Sequence, residues 1–275
     1  MSFRFLKAVV FDWAGTVVDF GSVAPMDAFV ALFESEGLPL TVAEARGPMG
    51  LPKWSHIEAL LSLPHVATAW AQHHGRAATA ADVDRLLARF EPMNLASIAT
   101  HSALVPGAAE TVAAIRAAGL RVGSTTGYTR PIMDVLQPLA ASQGFAPEHV
   151  VCAGDLLDSR PSPLGLYANM VALGVWPAHA VVKVDDTVPG LLEGSNAGSW
   201  TVAVLASGNA CGLQAEQWVA LSEPERAAHR AQAQRNLAAA EPDFCIDTVA
   251  DLLPVLREID ARLAQGGRPR AGAVR

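Results

Sequence analysis

Residues Lys7-Ala8-Val9-Val10-Phe11-Asp12-Trp13-Ala14-Gly15-Thr16 decide how this chain is read. The apolar, β-branched run up to Phe11 predicts a buried strand that ends on the carboxylate of Asp12 and leaves into a tight turn at Gly15. Similar short runs recur at Leu120-Arg121-Val122-Gly123-Ser124-Thr125, His149-Val150-Val151-Cys152-Ala153, Ala180-Val181-Val182-Lys183-Val184 and Trp200-Thr201-Val202-Ala203-Val204. Between them lie helical stretches: Ala108 to Ala118 before Gly119, Pro131 to Gln143 before Gly144, and Pro163 to Leu173 before Gly174. Strand, helix, strand at this spacing predicts βαβ units, hence an α/β fold with a parallel sheet and helices on both faces.

The stretch from about Gly21 to Thr100 breaks the alternation. It carries helical periodicity and no convincing strand, with helices predicted over Pro25–Glu36, Thr41–Arg46, Pro52–Leu63, Val66–His74 and Ala80–Ala99, and a loop at Gly47-Pro48-Met49-Gly50. Inserted directly after the first strand, this all-helical segment should lie over the carboxyl edge of the sheet, where open α/β sheets bind ligands. Towards the other end, Glu223 to Ala240 reads as a polar, Ala-rich helix and Gly266 to Arg275 as a frayed tail.

The 275 residues exceed an ordinary single domain, which fits one core with a second, smaller module. A hydrophobic fraction of 51% against 17% charged residues excludes a disordered chain. The formal charge of −7 argues against binding a nucleic-acid backbone. No apolar run of about 18 residues escapes a charge, because Asp12, Arg121 and Lys183 interrupt the best candidates, and no signal peptide is read at the N-terminus. Cys152, Cys211 and Cys245 are far apart and unpaired in pattern, as in a protein of the reduced cytoplasm. Of the 20 basic residues only Lys7, Lys53 and Lys183 are lysines. An amine, unlike guanidinium, can lose its proton and become a nucleophile, so each lysine invites a reason.

Four signals fall at predicted strand ends: Asp12; the hydroxyls Thr125-Thr126 before Gly127; Arg160 in Arg160-Pro161-Ser162-Pro163; and the acids Asp185-Asp186 before Thr187. Taken singly, each is an ordinary turn or surface feature. Together, in this order, they resemble the haloacid dehalogenase (HAD) superfamily. That resemblance implies a Rossmannoid core at 1–20 and 101–275 with a helical cap inserted at 21–100. It implies Asp12 as nucleophile and Thr126, Gly127 and Arg160 as phosphoryl ligands. It also implies Mg²⁺ held by Asp12, the Ala14 backbone carbonyl and Asp186, with Asp185 either a ligand or behind one. Mg²⁺ suits such carboxylates, since it bridges protein oxygens to substrate phosphate.

Ala14 departs from the commonest phosphatase pattern, which has a second Asp there to protonate the leaving oxygen. The insertion offers an explanation. Gly47-Pro48-Met49-Gly50-Leu51-Pro52-Lys53-Trp54-Ser55-His56-Ile57 resembles the cap loop of the phosphonoacetaldehyde hydrolase (phosphonatase) branch, and the segments around Gly123–Arg130, Val182–Thr187 and Asn196–Val202 look like that branch too. Ser55, Ser159 and Leu164-Gly165 depart from it, where Asp, Gly and Trp-Met are common. The resemblance implies cleavage of a carbon–phosphorus bond through a Schiff base on Lys53, with His56, three residues on along the same helix, relaying protons. Met49, Gly50 and Tyr128 would form pocket wall, and His73-His74 would be surface. Hinges near Gly21 and Thr100, a cytoplasmic location, a homodimer and a small phosphonate substrate complete the expectation. The rivals are a HAD phosphomonoesterase, against which Ala14 speaks, and a catalytically silent phosphate-binding protein, against which the complete set of core signals speaks.

Overall fold

A computed structural model describes residues 2–270. The predicted tail is therefore described only to Arg270, and 271–275 lie outside the described residues. Strand β1 (Ala8–Phe11) is central in a six-stranded parallel sheet with β2 (Arg121–Thr129), β3 (His149–Ala153), β4 (Val181–Asp185), β5 (Trp200–Val204) and β6 (Phe244–Ile246), in the order β3-β2-β1-β4-β5-β6.

Side chains alternate across β1 as the pleat requires. Val9 and Phe11 enter the large core, where they meet Val112, Ile115, Met133 and Leu256. Ala8 and Val10 enter the smaller cluster on the opposite face with Leu166 and Leu173. After the insertion, seven α-helices among the described residues accompany the strands: α6 (Ala108–Ala117), α7 (Arg130–Ser142), α8 (Leu164–Leu173), α9 (Val188–Asn196), α10 (Ala215–Ala220), α11 (Glu223–Leu237) and α12 (Leu252–Ala264). Of these, α6, α7, α8 and α12 supply the partners just named.

Between β1 and α6 the chain forms α1 (Ala24–Ser35), α2 (Val42–Arg46), α3 (Lys53–Leu61), α4 (Pro64–His74) and α5 (Ala80–Thr100). No strand occurs in this stretch among the described residues, as its periodicity predicts. These helices enclose their own apolar cluster, including Phe29, Leu32, Phe33, Ile57, Trp70 and Phe90. Each such side chain is worth about 1.5–3 kcal/mol buried rather than exposed, so the insertion carries a core of its own. Two capping boxes set its helix starts, Thr41 with Glu44 on α2 and Thr79 with Asp82 on α5.

Strand β6 and helices α9, α10 and α12 were not foreseen. Strand β6 is only three residues long at the sheet edge, too short for alternation to register. Helix bounds elsewhere shift by a residue or two. The largest change is β2, which continues to Thr129 and carries Thr125, Thr126 and Gly127 within the strand, with its pairing to β3 interrupted between Thr125 and Thr129.

Candidate active site

Asp12 follows directly on β1, its N–H donating to the Val184 carbonyl at 2.9 Å, and Asp185 closes β4 with Asp186 next to it. One carboxylate oxygen from each of the three lies within 4.8 Å of the others. All three side chains are buried. Burial and then the Asp185 charge push the Asp12 carboxyl up to about 6, and burial followed by Asp12 and Asp185 drives Asp186 well above its usual range. The cluster holds more negative charge than its protein partners balance, which fits it for a hard divalent cation.

The two adjacent acids are not equivalent. Asp185 accepts from the Thr187 N–H (3.0 Å) and hydroxyl (2.7 Å) on Oδ1, while Oδ2 faces the Lys183 ammonium (3.0 Å) and Arg160 (3.4 Å). Although burial opposes it, those cations hold Asp185 below its ordinary value. Asp186 instead accepts from the Thr16 hydroxyl, at 3.3 Å, on Oδ1 and from the Asn209 N–H, at 2.6 Å, on Oδ2. Asp186 is thus the better placed of the two to coordinate a cation.

Arg160, in the loop after β3, puts Nη1 2.8 Å from Asp12 Oδ1. Its Nη2 donates to the Thr125 carbonyl and hydroxyl at 2.6 and 2.8 Å, so the guanidinium is fixed beside the Asp12 carboxylate. A cavity opens here. Asp12, Ala14, Met49, Gly50, Lys53, Thr126, Gly127, Tyr128 and Arg160, all singled out from sequence, line it. Ser22, which sequence reasoning missed, lines it too, buried and with a φ of 51° that marks a sharp change of chain direction out of the core.

Lys53 begins α3 and is buried. Its Nζ is 3.8 Å from Met49 Sδ and 5.3, 5.9 and 5.5 Å from the ring centroids of Phe29, Phe90 and Tyr128. An aromatic box favours a cation, but loss of water outweighs it. Burial, opposed by Asp12 and assisted by Arg160, brings the Lys53 amine down to about 8. Burial holds the Tyr128 hydroxyl well above its usual value, so it is not a phenolate.

Gly50 has a φ of 92°, and a Cβ there would lie 2.4 Å from the Thr187 hydroxyl. The loop of the insertion therefore approaches the sheet edge only because position 50 lacks a side chain.

His56 shares Lys53's side of α3 but sits deeper. Its ring stacks on Phe29 with centroids 4.0 Å apart, and Nε2 donates to the Ala45 carbonyl at 2.8 Å. Nδ1 is buried without a partner. Burial and then the Lys53 charge press its pKa well below the ordinary range, so the imidazole is neutral. It is not on the cavity wall. Of the departures noted in sequence, Ser55 is half-buried on α3, Ser159 lines a neighbouring crevice, and Leu164 is exposed.

Arg46 was also not singled out. It ends α2 and donates to the Gly21 carbonyl (2.7 Å), the Asn209 side-chain oxygen (3.1 Å) and the Gly212 carbonyl (3.2 Å). One residue, Asn209, therefore links the insertion to Asp186. A surface-type arginine at a helix end gives no sequence signal of that role.

A family model described as haloacid dehalogenase-like hydrolase matches residues 6–198. A protein of Paraburkholderia xenovorans named phosphonoacetaldehyde hydrolase is 50% identical over 97% of this chain and 100% of its own length. One of that name from Vibrio cholerae is 47% identical over 96% of this chain and 98% of its own. The crystal structure of a phosphonoacetaldehyde hydrolase-like protein from Oleispira antarctica superposes with a TM-score of 0.95 at 40% identity, covering 98% of each chain.

Proposed function

This chain belongs to the phosphonoacetaldehyde hydrolases within the haloacid dehalogenase-like hydrolases, and from that premise we propose that it splits phosphonoacetaldehyde into acetaldehyde and phosphate through an imine on Lys53 and a phosphoaspartate on Asp12. The observation that carries the mechanism is a buried amine with a pKa near 8 sharing one cavity with Asp12 and with an alanine where an acid would otherwise stand.

Displacing phosphorus from carbon leaves an electron pair that needs a sink. Lys53 adds to the aldehyde carbonyl and water leaves, giving an iminium. Asp12 then attacks phosphorus in line, the C–P bond breaks, and its electrons move into an enamine on Lys53. Protonation at carbon and addition of water release acetaldehyde and free Lys53, while a second water releases phosphate from Asp12. Thr126, the Gly127 N–H and Arg160 hold the phosphoryl oxygens against the nucleophile. His56, neutral and three residues on from Lys53 along α3, is assigned the proton relay to Lys53.

Asp12, the Ala14 carbonyl and Asp186 would hold Mg²⁺, with Asp185 committed behind them to Lys183, Arg160 and Thr187. Bound there, the ion neutralises repulsion between the anionic nucleophile and the anionic phosphoryl group. Residues 21–100 act as a cap hinged near Gly21 and Thr100, opening for substrate and closing to bring Lys53 over Asp12. We further assign a cytoplasmic homodimer; the free cysteines Cys152, Cys211 and Cys245 support the reducing compartment, and Leu164, Tyr167 and Val171, exposed along α8, support the dimer.

The deciding assay is turnover of phosphonoacetaldehyde beside a panel of phosphate esters, with Mg²⁺ and with chelator. Turnover of the phosphonate alone, lost on chelation, is the expected result. Asp186→Ala should raise the Mg²⁺ requirement by at least the roughly 10–100-fold that loss of even an indirect partner costs. Metal-independent turnover would remove the site as drawn, and faster ester hydrolysis would favour the phosphomonoesterase reading.

Ala14→Asp tests the leaving-group account. The enamine departs by carbon and nitrogen chemistry that needs no acid at position 14, and an added carboxylate crowds an already acidic cluster. Cleavage of the phosphonate should stay equal or fall in steady-state kinetics, and a rate increase contradicts the mechanism.

A further inference from the structure

Two charged residues beneath the phosphoryl site have no part in the chemistry above. Lys183 on β4 and Glu193 on α9 are fully buried, with Nζ and Oε2 3.2 Å apart. Buried ion pairs recover little or none of their desolvation cost, so such a pair calls for a reason other than stability.

Its contacts supply one. The Thr125 hydroxyl accepts from Lys183 Nζ at 2.6 Å and from Arg160 Nη2 at 2.8 Å, and donates to Glu193 Oε2 at 2.6 Å. Glu193 Oε2 also lies 3.3 Å from Arg160 Nε, and Asp185 Oδ2 is shared by Lys183 at 3.0 Å and Arg160 at 3.4 Å. Arg160 thus faces three carboxylates, those of Asp12, Asp185 and Glu193, and Lys183 is the second cation on two of them. The backbone makes room for this arrangement. A Cβ at Gly165 would lie 2.4 Å from Glu193 Oε1, one at Gly190 within 2.3 Å of the Asp185 carboxylate, and one at Gly194 2.6 Å from Lys183 Cβ.

We propose that Lys183 is a positioning residue, neutralising Glu193 and Asp185 so that the Arg160 guanidinium, oriented through Thr125, stays available to an anionic phosphoryl group. Without Lys183, both carboxylates have Arg160 as their only close side-chain cation among the described residues and compete with the substrate for it. The inference rests on the phosphoryl site of the proposed function and extends it to residues that never touch substrate.

The test is titration of the full-length protein, with Mg²⁺ present, with inorganic phosphate in a calorimeter, beside borohydride trapping of acetaldehyde on Lys53. Wild-type binding of phosphate and labelling of Lys53 test the site itself, independently of the brace. Lys183→Met should then weaken phosphate binding tenfold or more with trapping retained. Adding Glu193→Gln restores the charge balance and should bring the double variant back within about threefold of wild type. If Lys183→Met does not fold, the double variant decides alone: affinity within threefold supports the proposal and a tenfold deficit overturns it. Wild-type affinity in a folded Lys183→Met, or no recovery in the double variant, likewise overturns it.

Discussion

Asp12→Asn is expected to abolish C–P cleavage while the protein stays folded and Lys53 still forms its imine. The amide is nearly isosteric with the carboxylate and can still accept from Arg160 Nη1, which sits 2.8 Å from Asp12 Oδ1. It is a poor nucleophile and a poor ligand for a hard cation. The loss should be on the order of 10⁵-fold or more, the scale on which a nucleophile acting within a catalytic unit is felt. Stability should move the other way or not at all. Burial raises the Asp12 carboxyl from 3.8 to about 6, so between those values the folded protein keeps a proton that the unfolded chain has released. Asp12 therefore weakens the fold as pH rises through that window and continues to do so at neutral pH. Asparagine removes that penalty, and the metal-free variant should melt at pH 7 no lower than wild type. Substantial turnover in a sample shown by mass to be free of deamidation would take the nucleophile's role from Asp12, and a lowered melting temperature would trace the lost activity to damaged structure instead.

The edge that carries the candidate site was legible because its parts are local signals that gain meaning from their order. A short apolar run ending in Asp, a Thr-Thr-Gly triplet and an Asp-Asp pair are each visible within about six residues, and parallel topology brings all of them to one edge of the sheet. Lys53 is marked only weakly as one of three lysines in a chain that otherwise uses arginine, and its role came from the resemblance of the loop at 47–57. What escaped notice acts at long range. Glu193 matters because it meets Thr125, 68 residues away, and Arg46 because it meets Asn209, 163 residues away. Neither spacing has a period that a sequence window can detect. Helix α12 lies between the polar helix and the tail, where no element is read from sequence, although Leu252, Leu256, Ile259 and Leu263 form a helical stripe against the main core. His56 falls between the two cases. Its spacing from Lys53 correctly gave a shared side of α3, but spacing cannot report depth, and stacking on Phe29 draws the ring below the cavity wall.

Lys53→Arg should lose both C–P cleavage and covalent trapping while phosphate still binds. An amine must be neutral to add to a carbonyl, and the structure lowers the Lys53 pKa to about 8 chiefly by burial, with its place at the first residue of α3 acting in the same direction. At pH 7 such an amine is neutral roughly one-tenth of the time, against roughly one part in three thousand for an unperturbed lysine. Trapping of acetaldehyde by borohydride should accordingly rise about tenfold per pH unit up to about 8 and then level off. The product is an ethyl group on the peptide that carries Lys53. The other lysines provide internal controls: Lys7 is exposed beyond the opposite end of β1, and Lys183 is enclosed by Glu193, Asp185 and Thr125. Arginine keeps the positive charge in the box formed by Phe29, Phe90 and Tyr128 but cannot form the imine, so the C–P electrons have no sink and cleavage should fall by on the order of 10⁴-fold or more. Labelling on Lys7 or Lys183, or cleavage that survives in Lys53→Arg, would mean that the electron pair leaves by another route and that Lys53 only holds the aldehyde in place.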